Sequence, residues 1–356
     1  MNAKNDRMHA AVLHAPRDLR YEQVPIPSPG PEEVLVRITM NGLCGSDIHF
    51  YREGKLGPFT VSSPYIPGHE ACGVVVREAE RQGGPSVGQR VAIEPGIPCR
   101  RCASCKSGRY NLCREVVFMS APPINGTFCE YAAVAADFAH PLPDSVDDDS
   151  GAFVEPLAVG VQACTRAGLR AAGTVVVIGA GPIGLVTMIV ARAFGATAVY
   201  LVDLLASRLA LGATLGATAT IDAGAEDPAA RIAELTSGQG VDYVFDASGS
   251  SAACASAPSL AARGGSVTLV GWPERSTFPY PVEIIIDKEL DIHGTNRYCN
   301  AFPRAIALLA SGGIDIHPLV SHRFALNRVT DAFAFAADNP AQTIKLMVRT
   351  ASAQGR

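Results

Sequence analysis

The chain reads as an α/β protein in two parts, a β-rich domain and a doubly wound parallel-sheet domain, and three observations lead to that prediction. At 356 residues with 48% hydrophobic side chains it is long enough for about two domains of roughly 150 residues, each with its own core. Up to about Gly160, short runs of period-two character are broken by proline and glycine, the pattern of strands joined by turns. From Gly173 onward strand-like and helix-like runs alternate, the rhythm of a parallel sheet with crossover helices.

The β-rich part rests on runs at Met8–Leu13, Glu33–Met40, Gly73–Arg77, Gly88–Ile93 and Gly126–Val134. Pro25, Pro27, Pro29, Gly30 and Pro31 predict an exposed connector, since proline removes the donors a sheet needs. The second part rests on strands at Thr174–Ile178, Ala198–Val202, Val241–Phe245, Ser266–Val270 and Leu290–His293, with helices at Pro182–Phe194 and Leu204–Leu215. Ala171–Ala191 is uncharged and long enough to suggest a membrane span, but Gly179, Gly181, Pro182 and Gly184 within it predict a strand, a tight turn and a buried helix. The tail, with a helix at Phe302–Leu309 and an extended run at Thr343–Val348, is too short for a third domain and is expected to return to the first.

A formal net charge of −4, with both signs scattered, leaves no electrostatic footprint for nucleic acid or an anionic membrane, and favours a small neutral or polar partner. Met1–Leu19 has charges at Lys4, Asp6, Arg7, Arg17 and Asp18 and lacks the apolar core of a signal peptide, which predicts a cytoplasmic chain. In that compartment ten cysteines are expected as thiolates or metal ligands rather than disulfides. Cys72, Cys129, Cys164, Cys254 and Cys299 stand alone among small or apolar neighbours and read as packed side chains.

Ile66-Pro67-Gly68-His69-Glu70 sets an imidazole beside a carboxylate, with Cys44 upstream and Glu155 in Val154-Glu155-Pro156-Leu157 downstream. One thiolate, one imidazole and one or two carboxylates around zinc, with a position left open, make a catalytic arrangement. Taken alone, Gly-His-Glu also reads as a turn with a hydrogen-bonded histidine. Cys99, Cys102, Cys105 and Cys113, interleaved with Arg100, Arg101, Lys106 and Arg109, have the spacing C-x2-C-x2-C-x7-C of a structural zinc site. The same run partly resembles an iron–sulfur pattern, although its fourth spacing and the missing proline fit poorly.

Gly179-Ala180-Gly181-Pro182-Ile183-Gly184 follows a predicted strand and opens a predicted helix. That context suits a dinucleotide: Gly179 permits the turn, Gly181 lets the pyrophosphate approach the backbone, and Gly184 lets helix and strand pack closely. Asp203, at the end of the next strand, is placed to accept from the ribose 2′-hydroxyl of NAD and to repel the 2′-phosphate of NADP. Arg208 reads either as an adenine-stacking residue or as a solvated helix position. Asp246–Gly249 and Val270-Gly271 end strands on the same sheet edge and fall toward the nicotinamide, with Asn296 a further cofactor candidate.

Cys44-Gly45-Ser46-Asp47, Gly68-His69-Glu70, Val87–Val91, the four-cysteine lobe, Glu155-Pro156-Leu157 and the Gly179–Gly184 loop together resemble the zinc-dependent medium-chain alcohol dehydrogenases. Cys44–Tyr51 and Arg297-Tyr298-Cys299-Asn300 look most like the sorbitol (L-iditol) and xylitol dehydrogenases. The resemblance implies a GroES-like catalytic zinc domain from residues 1–157 and 296–356, a Rossmann NAD-binding domain at 158–295, and a dimer or tetramer. It further implies a catalytic zinc on Cys44, His69 and Glu70, with Glu155 reaching it directly or through water. It assigns Ser46 and His49 to a proton relay, Asp47 to orienting His69, and Arg297 to substrate hydroxyls or the water network. Local readings compete with these: Ser46 or Asp47 as a turn or helix cap, His49 as a surface residue, Arg297 as an interface ion-pair partner. Phe50, where tyrosine is common, and Asn296, where phenylalanine is frequent, depart from the pattern and bear on which polyol is used. The resemblance implies NAD-dependent oxidation of a polyol, with a 2,3-butanediol or L-threonine dehydrogenase, or a non-catalytic nucleotide-binding relative, as alternatives.

Overall fold

The computed structural model describes residues 7–81 and 83–350; Lys4 and Asp6, on which the N-terminal reading partly rests, lie outside them. β1 (Arg7–Ala15) and β2 (Asp18–Pro25) pair as a hairpin. β3 (Glu33–Leu43) leads into α1 (Gly45–Glu53), a helix that the sequence reading lacks. β4 (Glu70–Arg77), β5 (Arg90–Ile93), β6 (Tyr131–Ala135) and β7 (Ala139–Pro141) follow. β6 starts later than the run from Gly126 suggests, because the backbone of residues 126–128 bonds instead to residues 66–68.

α2 (Asp148–Arg166) contains Glu155 and, next to it, Pro156, which is why its helical nature escapes a reading that ends helices at proline. β8 (Thr174–Ile178), α3 (Pro182–Ala193), β9 (Ala198–Asp203), α4 (Ala206–Thr214), β10 (Ala219–Asp222), α5 (Pro228–Leu235) and β11 (Val241–Asp246) come next. α6 (Ser251–Leu260), β12 (Ala261–Leu269), α7 (Val282–Lys288), β13 (Asp291–Gly294) and α8 (Phe302–Ala310) complete the middle of the chain. β14 (Val320–Ala325), α9 (Val329–Asp338) and β15 (Lys345–Arg349) return to the first part.

Contacts divide the chain into two compact units, one running to Glu155 and resuming at Asp315, the other Pro156–Ile314. The sequence expectation sets these breaks after residues 157 and 295. In the second unit the ring of Tyr298 lies 5.3 Å from that of Phe302, and Cys299 N donates to Gln162 Oε1 at 3.4 Å, tying residues 298–302 to the second half of α2.

The first unit is built on the sheet β7-β5-β4-β3-β15-β14, with β6 also paired to β3. Its core gathers Val34, Val36, Ile38, Phe128, Phe333 and Leu346, so the C-terminal segment packs inside this unit. The second unit is a six-stranded sheet in the order β10-β9-β8-β11-β12-β13, parallel throughout. Strand order reverses between β8 and β11, and in such sheets ligands collect outside the carboxyl ends at that point. Among the described residues no helix is long and apolar enough to cross a membrane, and Ala171–Ala191 holds β8, the glycine turn and most of α3.

Candidate metal and cofactor sites

The Pro67-Gly68 turn is sewn to the segment before β6 by three backbone bonds, Gly126 N to Ile66 O at 2.5 Å, Thr127 N to Gly68 O at 2.9 Å and Phe128 N to Pro67 O at 3.0 Å. A Cβ on Gly126 would stand 2.0 Å from Gly68 O, so only glycine permits this approach. Cys44 follows β3 as the cap of α1, and Cys44 N donates to Asp47 Oδ2 at 3.3 Å. Asp47 Oδ1 accepts from Ser120 Oγ at 2.7 Å and Gly68 N at 3.2 Å, and it lies 3.7 Å from His69 Nδ1. The fully buried Asp47 therefore both caps α1 and ties it to the histidine turn, uniting two roles that the sequence offers as alternatives.

The donor atoms of Cys44, His69 and Glu70 lie within 4.8 Å of one another. Burial alone would make His69 less basic, but Asp47, Cys44 and Glu155 outweigh it and hold the imidazole well above its ordinary range. Such a gathering of anionic donors calls for a cation. Both Glu70 oxygens accept from Lys345 Nζ, at 2.7 and 2.6 Å, and both side chains are at most 2% exposed. Gly42 makes room for that carboxylate, since a Cβ there would stand 2.2 Å from Glu70 Oε2. Glu155 on α2 is 7% exposed and acts electrostatically on both His69 and Lys345, but lies outside the 4.8 Å triad. One thiolate, one imidazole and a carboxylate, the last two buried, fit a zinc ion with a position left for another ligand.

Cys99, Cys102, Cys105 and Cys113 likewise lie within 4.8 Å of one another, with Cys102 and Cys105 sulfurs 3.4 Å apart and Cys99 and Cys105 4.0 Å apart. A tetrahedron with Zn–S bonds near 2.3 Å has sulfur–sulfur edges of about 3.8 Å, so the lobe matches a structural zinc. The acidities are split: the N–H groups of Arg101 and Cys102 bring Cys99 down to about 7, while burial and the neighbouring thiols push Cys105 up to about 12. Four thiols sharing one locus cannot all ionise without a central cation. The lobe includes a one-turn helix at Ala103–Lys106, and Arg101 and Arg100 pair with Glu115 and Asp137.

In the second unit a cavity of about 560 Å³ opens at the carboxyl ends of β8 and β9, lined among others by Gly179, Gly181, Asp203, Arg208, Ser248 and Ala253. Gly179 has φ +94° and lies so near the backbone of Ser248 that a Cβ would approach its Cα to 2.7 Å; a Cβ on Gly184 would stand 1.7 Å from Gly179 O. At Gly181 the nearest neighbour of an added Cβ is Arg208 Nη1 at 3.9 Å, so a methyl there would project into the cavity. Asp203 Oδ2 accepts from Ala180 N at 2.6 Å and Oδ1 from Leu205 N at 2.8 Å, aiming the carboxylate at the loop. The cradle fits a dinucleotide whose pyrophosphate meets the start of α3. Pro182 and Ile183 form the first turn of α3, and Val270 N and Gly271 N bond to Asp246 O at 2.8 Å beside that edge.

Ser46 is half-buried on α1, whereas His49 is exposed on it, with Nδ1 3.6 Å from Glu53. Arg297 has φ +53°, in the left-handed region that non-glycine residues rarely adopt, and follows the exposed Asn296. Lys345, Gly42 and Ser120 have no signal in the sequence, because each meets the site only through the fold.

Residues 182–311 match the zinc-binding dehydrogenase family, and residues 30–144 match the alcohol dehydrogenase GroES-like domain. The chain is 38% identical to sorbitol dehydrogenase of Bacillus subtilis (strain 168) over 341 residues, covering 96% of this chain and 97% of that protein. It is 44% identical to sorbitol dehydrogenase of Gallus gallus over 328 residues, covering 91% and 92%. The crystal structure of L-idonate 5-dehydrogenase from Escherichia coli K-12 superposes with a TM-score of 0.89 at 30% identity, covering 96% of this chain and 98% of that one.

Proposed function

From the premise that the chain belongs to the zinc-dependent medium-chain alcohol dehydrogenases, in the sorbitol dehydrogenase-like branch, we propose that it oxidises a secondary alcohol of a sugar alcohol to a ketose. Zinc and NAD are its cofactors. The observation behind the reading is the Cys44–His69–Glu70 triad, with His69 and Glu70 buried and Cys44 partly exposed, whose donors suit a catalytic rather than a closed structural ion.

In this reading Cys44, His69 and Glu70 hold the catalytic zinc, Glu155 stands next to it, and Cys99, Cys102, Cys105 and Cys113 hold a structural ion. When bound, zinc supplies a Lewis acid for the alcohol oxygen, and NAD supplies the hydride acceptor. Asp47 fixes the orientation of His69 through the turn that it braces. Ser46 is the first acceptor of the substrate proton and His49, which faces water, the exit. Gly179, Gly181, Pro182, Ile183 and Gly184 seat the pyrophosphate, and Asp203 the adenosine ribose. Arg208, Val270, Gly271 and Asn296 complete the cofactor contacts. Arg297 is assigned to substrate hydroxyls, a role to which its strained backbone lends support.

The test is NADH formation at 340 nm on sorbitol, xylitol, ribitol, galactitol, L-idonate, butanediol and L-threonine, with NAD and NADP side by side. Cys44→Ser or a chelator should abolish turnover while NAD still binds. Undiminished turnover by zinc-free enzyme would sink the mechanism, and activity confined to threonine or butanediol would move the substrate class.

We also assign the chain to the cytoplasm and to a homo-oligomer. β13 is a sheet edge, and Val282, Ile286 and Ile292 near it are exposed by 57%, 74% and 38%. An open edge beside apolar side chains is suited to pairing with a second copy. A monomeric mass by light scattering at micromolar concentration would refute the assembly.

A further inference from the structure

Lys345 is a buried lysine bound to a residue of the metal triad. It arrives on β15, which pairs with β3 in the register Leu346 opposite Leu43, and this sets its ammonium behind the triad. Nζ meets Glu70 Oε1 at 2.7 Å, Glu70 Oε2 at 2.6 Å and Leu43 O at 3.4 Å, and it lies 5.9 Å from the centre of the Phe153 ring. All three of its protons are thus accounted for, and the ion pair has almost no access to water.

A carboxylate this deeply buried needs a counter-charge at every stage, and a lysine paired with it in low dielectric is a strong competitor for any other cation. Resting on the zinc reading above, the charge count comes closest to neutral with Lys345 included. Cys44 thiolate, Asp47, Glu70 and Glu155 contribute four negatives, against two positives on zinc and one on Lys345. Without Lys345 the loaded site is more negative by one charge, and in the empty site the Glu70 carboxylate loses the ammonium that meets both its oxygens. We propose that Lys345 is a positioning residue that shares Glu70 with the metal: it holds the carboxylate when the site is empty and keeps it a weakened, releasable ligand when the site is full.

A residue that only packs and a residue that shares a ligand predict opposite signs. Loss of packing lowers the stability of the metal-free enzyme and weakens zinc binding together. Loss of a competitor destabilises the metal-free enzyme but tightens zinc. The experiment uses the full chain as wild type, Lys345→Met, Lys345→Arg, Glu70→Gln and the Lys345→Met/Glu70→Gln double variant. It measures zinc stoichiometry, affinity by competition with a chromophoric chelator, and Tm with and without zinc. The expected result for Lys345→Met is a lowered Tm in the stripped enzyme and at least tenfold tighter binding of the zinc that Cys44→Ser removes. Lys345→Arg should stay within threefold of wild type. In the Glu70→Gln background Lys345→Met should leave zinc affinity unchanged, a comparison that remains available if the single variant does not fold.

Equal or weaker zinc binding in Lys345→Met overturns the proposal, as does an undiminished effect of Lys345→Met when residue 70 is glutamine. A wild-type chain that holds only a zinc insensitive to Cys44→Ser overturns the metal reading itself and this inference with it.

Discussion

Asp203→Ala offers a quantitative test of how the second unit chooses its cofactor. The carboxylate is aimed by Ala180 N at 2.6 Å and Leu205 N at 2.8 Å, each on a different oxygen, so both oxygens keep a lone pair for the ribose. A hydrogen bond from a hydroxyl to a charged acceptor contributes about 1.5–3 kcal/mol, and its loss weakens NAD by roughly 10- to 150-fold. For NADP the same substitution removes a repulsion. Unit charges about 4 Å apart interact by about 4 kcal/mol at an effective dielectric near 20. Asp203 is half-exposed and screened, which reduces this to about 1–2 kcal/mol, a further factor of about ten. Damage to the glycine loop from the two orphaned amides affects both cofactors alike and cancels in their ratio. The NAD-to-NADP ratio of kcat/KM, from initial rates at 340 nm with saturating polyol, should therefore fall by about two to three orders of magnitude. A ratio within threefold of wild type would refute the placement of Asp203 on the ribose.

Two further outcomes follow from other parts of the structure. Cys102→Ser breaks the four-sulfur lobe and should remove one zinc per chain and lower Tm, with the zinc that depends on Cys44 retained; loss of neither ion in a metal assay would count against the lobe as a zinc site. His317 hydrogen-bonds Asp147 through Nε2 at 2.8 Å and Asp315 through Nδ1 at 2.7 Å, and those carboxylates, Asp147 first, raise its pKa against the effect of burial. A raised folded-state pKa means that the stabilisation is complete below the unfolded value near 6.5 and is lost as pH climbs through the folded one. Because the pair is half-exposed the effect is below about 1 kcal/mol, and His317→Gln should flatten the Tm-against-pH curve above the unfolded value near 6.5. An unchanged curve in the variant would show that the pair does not contribute.

Much of this is legible in the amino-acid sequence, for identifiable reasons. Thr174–Ile178 and the glycine turn form a local unit whose apolar run, special backbone angles and helix start all lie within a dozen residues. The cysteine lobe announces itself by spacing alone. α1 stayed hidden because Gly45–Glu53 is short and polar, and its capping carboxylate, Asp47, is also the brace of a distant turn. Lys345 lies 275 residues from Glu70, Ser120 lies 73 from Asp47, and Gly42 matters only as the space that a carboxylate needs. Periodicity reports which residues share a face; it is silent on which side chains meet across a sheet.

The position of Lys345 on β15 also has a consequence for the order in which the protein can be made. Glu70 leaves the ribosome 275 residues ahead of the lysine that neutralises it, and β15 is an interior strand between β3 and β14. Until that strand docks, the nascent first unit lacks both a rung of its sheet and the counter-ion for its buried carboxylate, so the carboxylate has to remain hydrated. Maturation of the metal pocket is thereby deferred until after the nucleotide-binding unit, an insertion between its halves, has been synthesised.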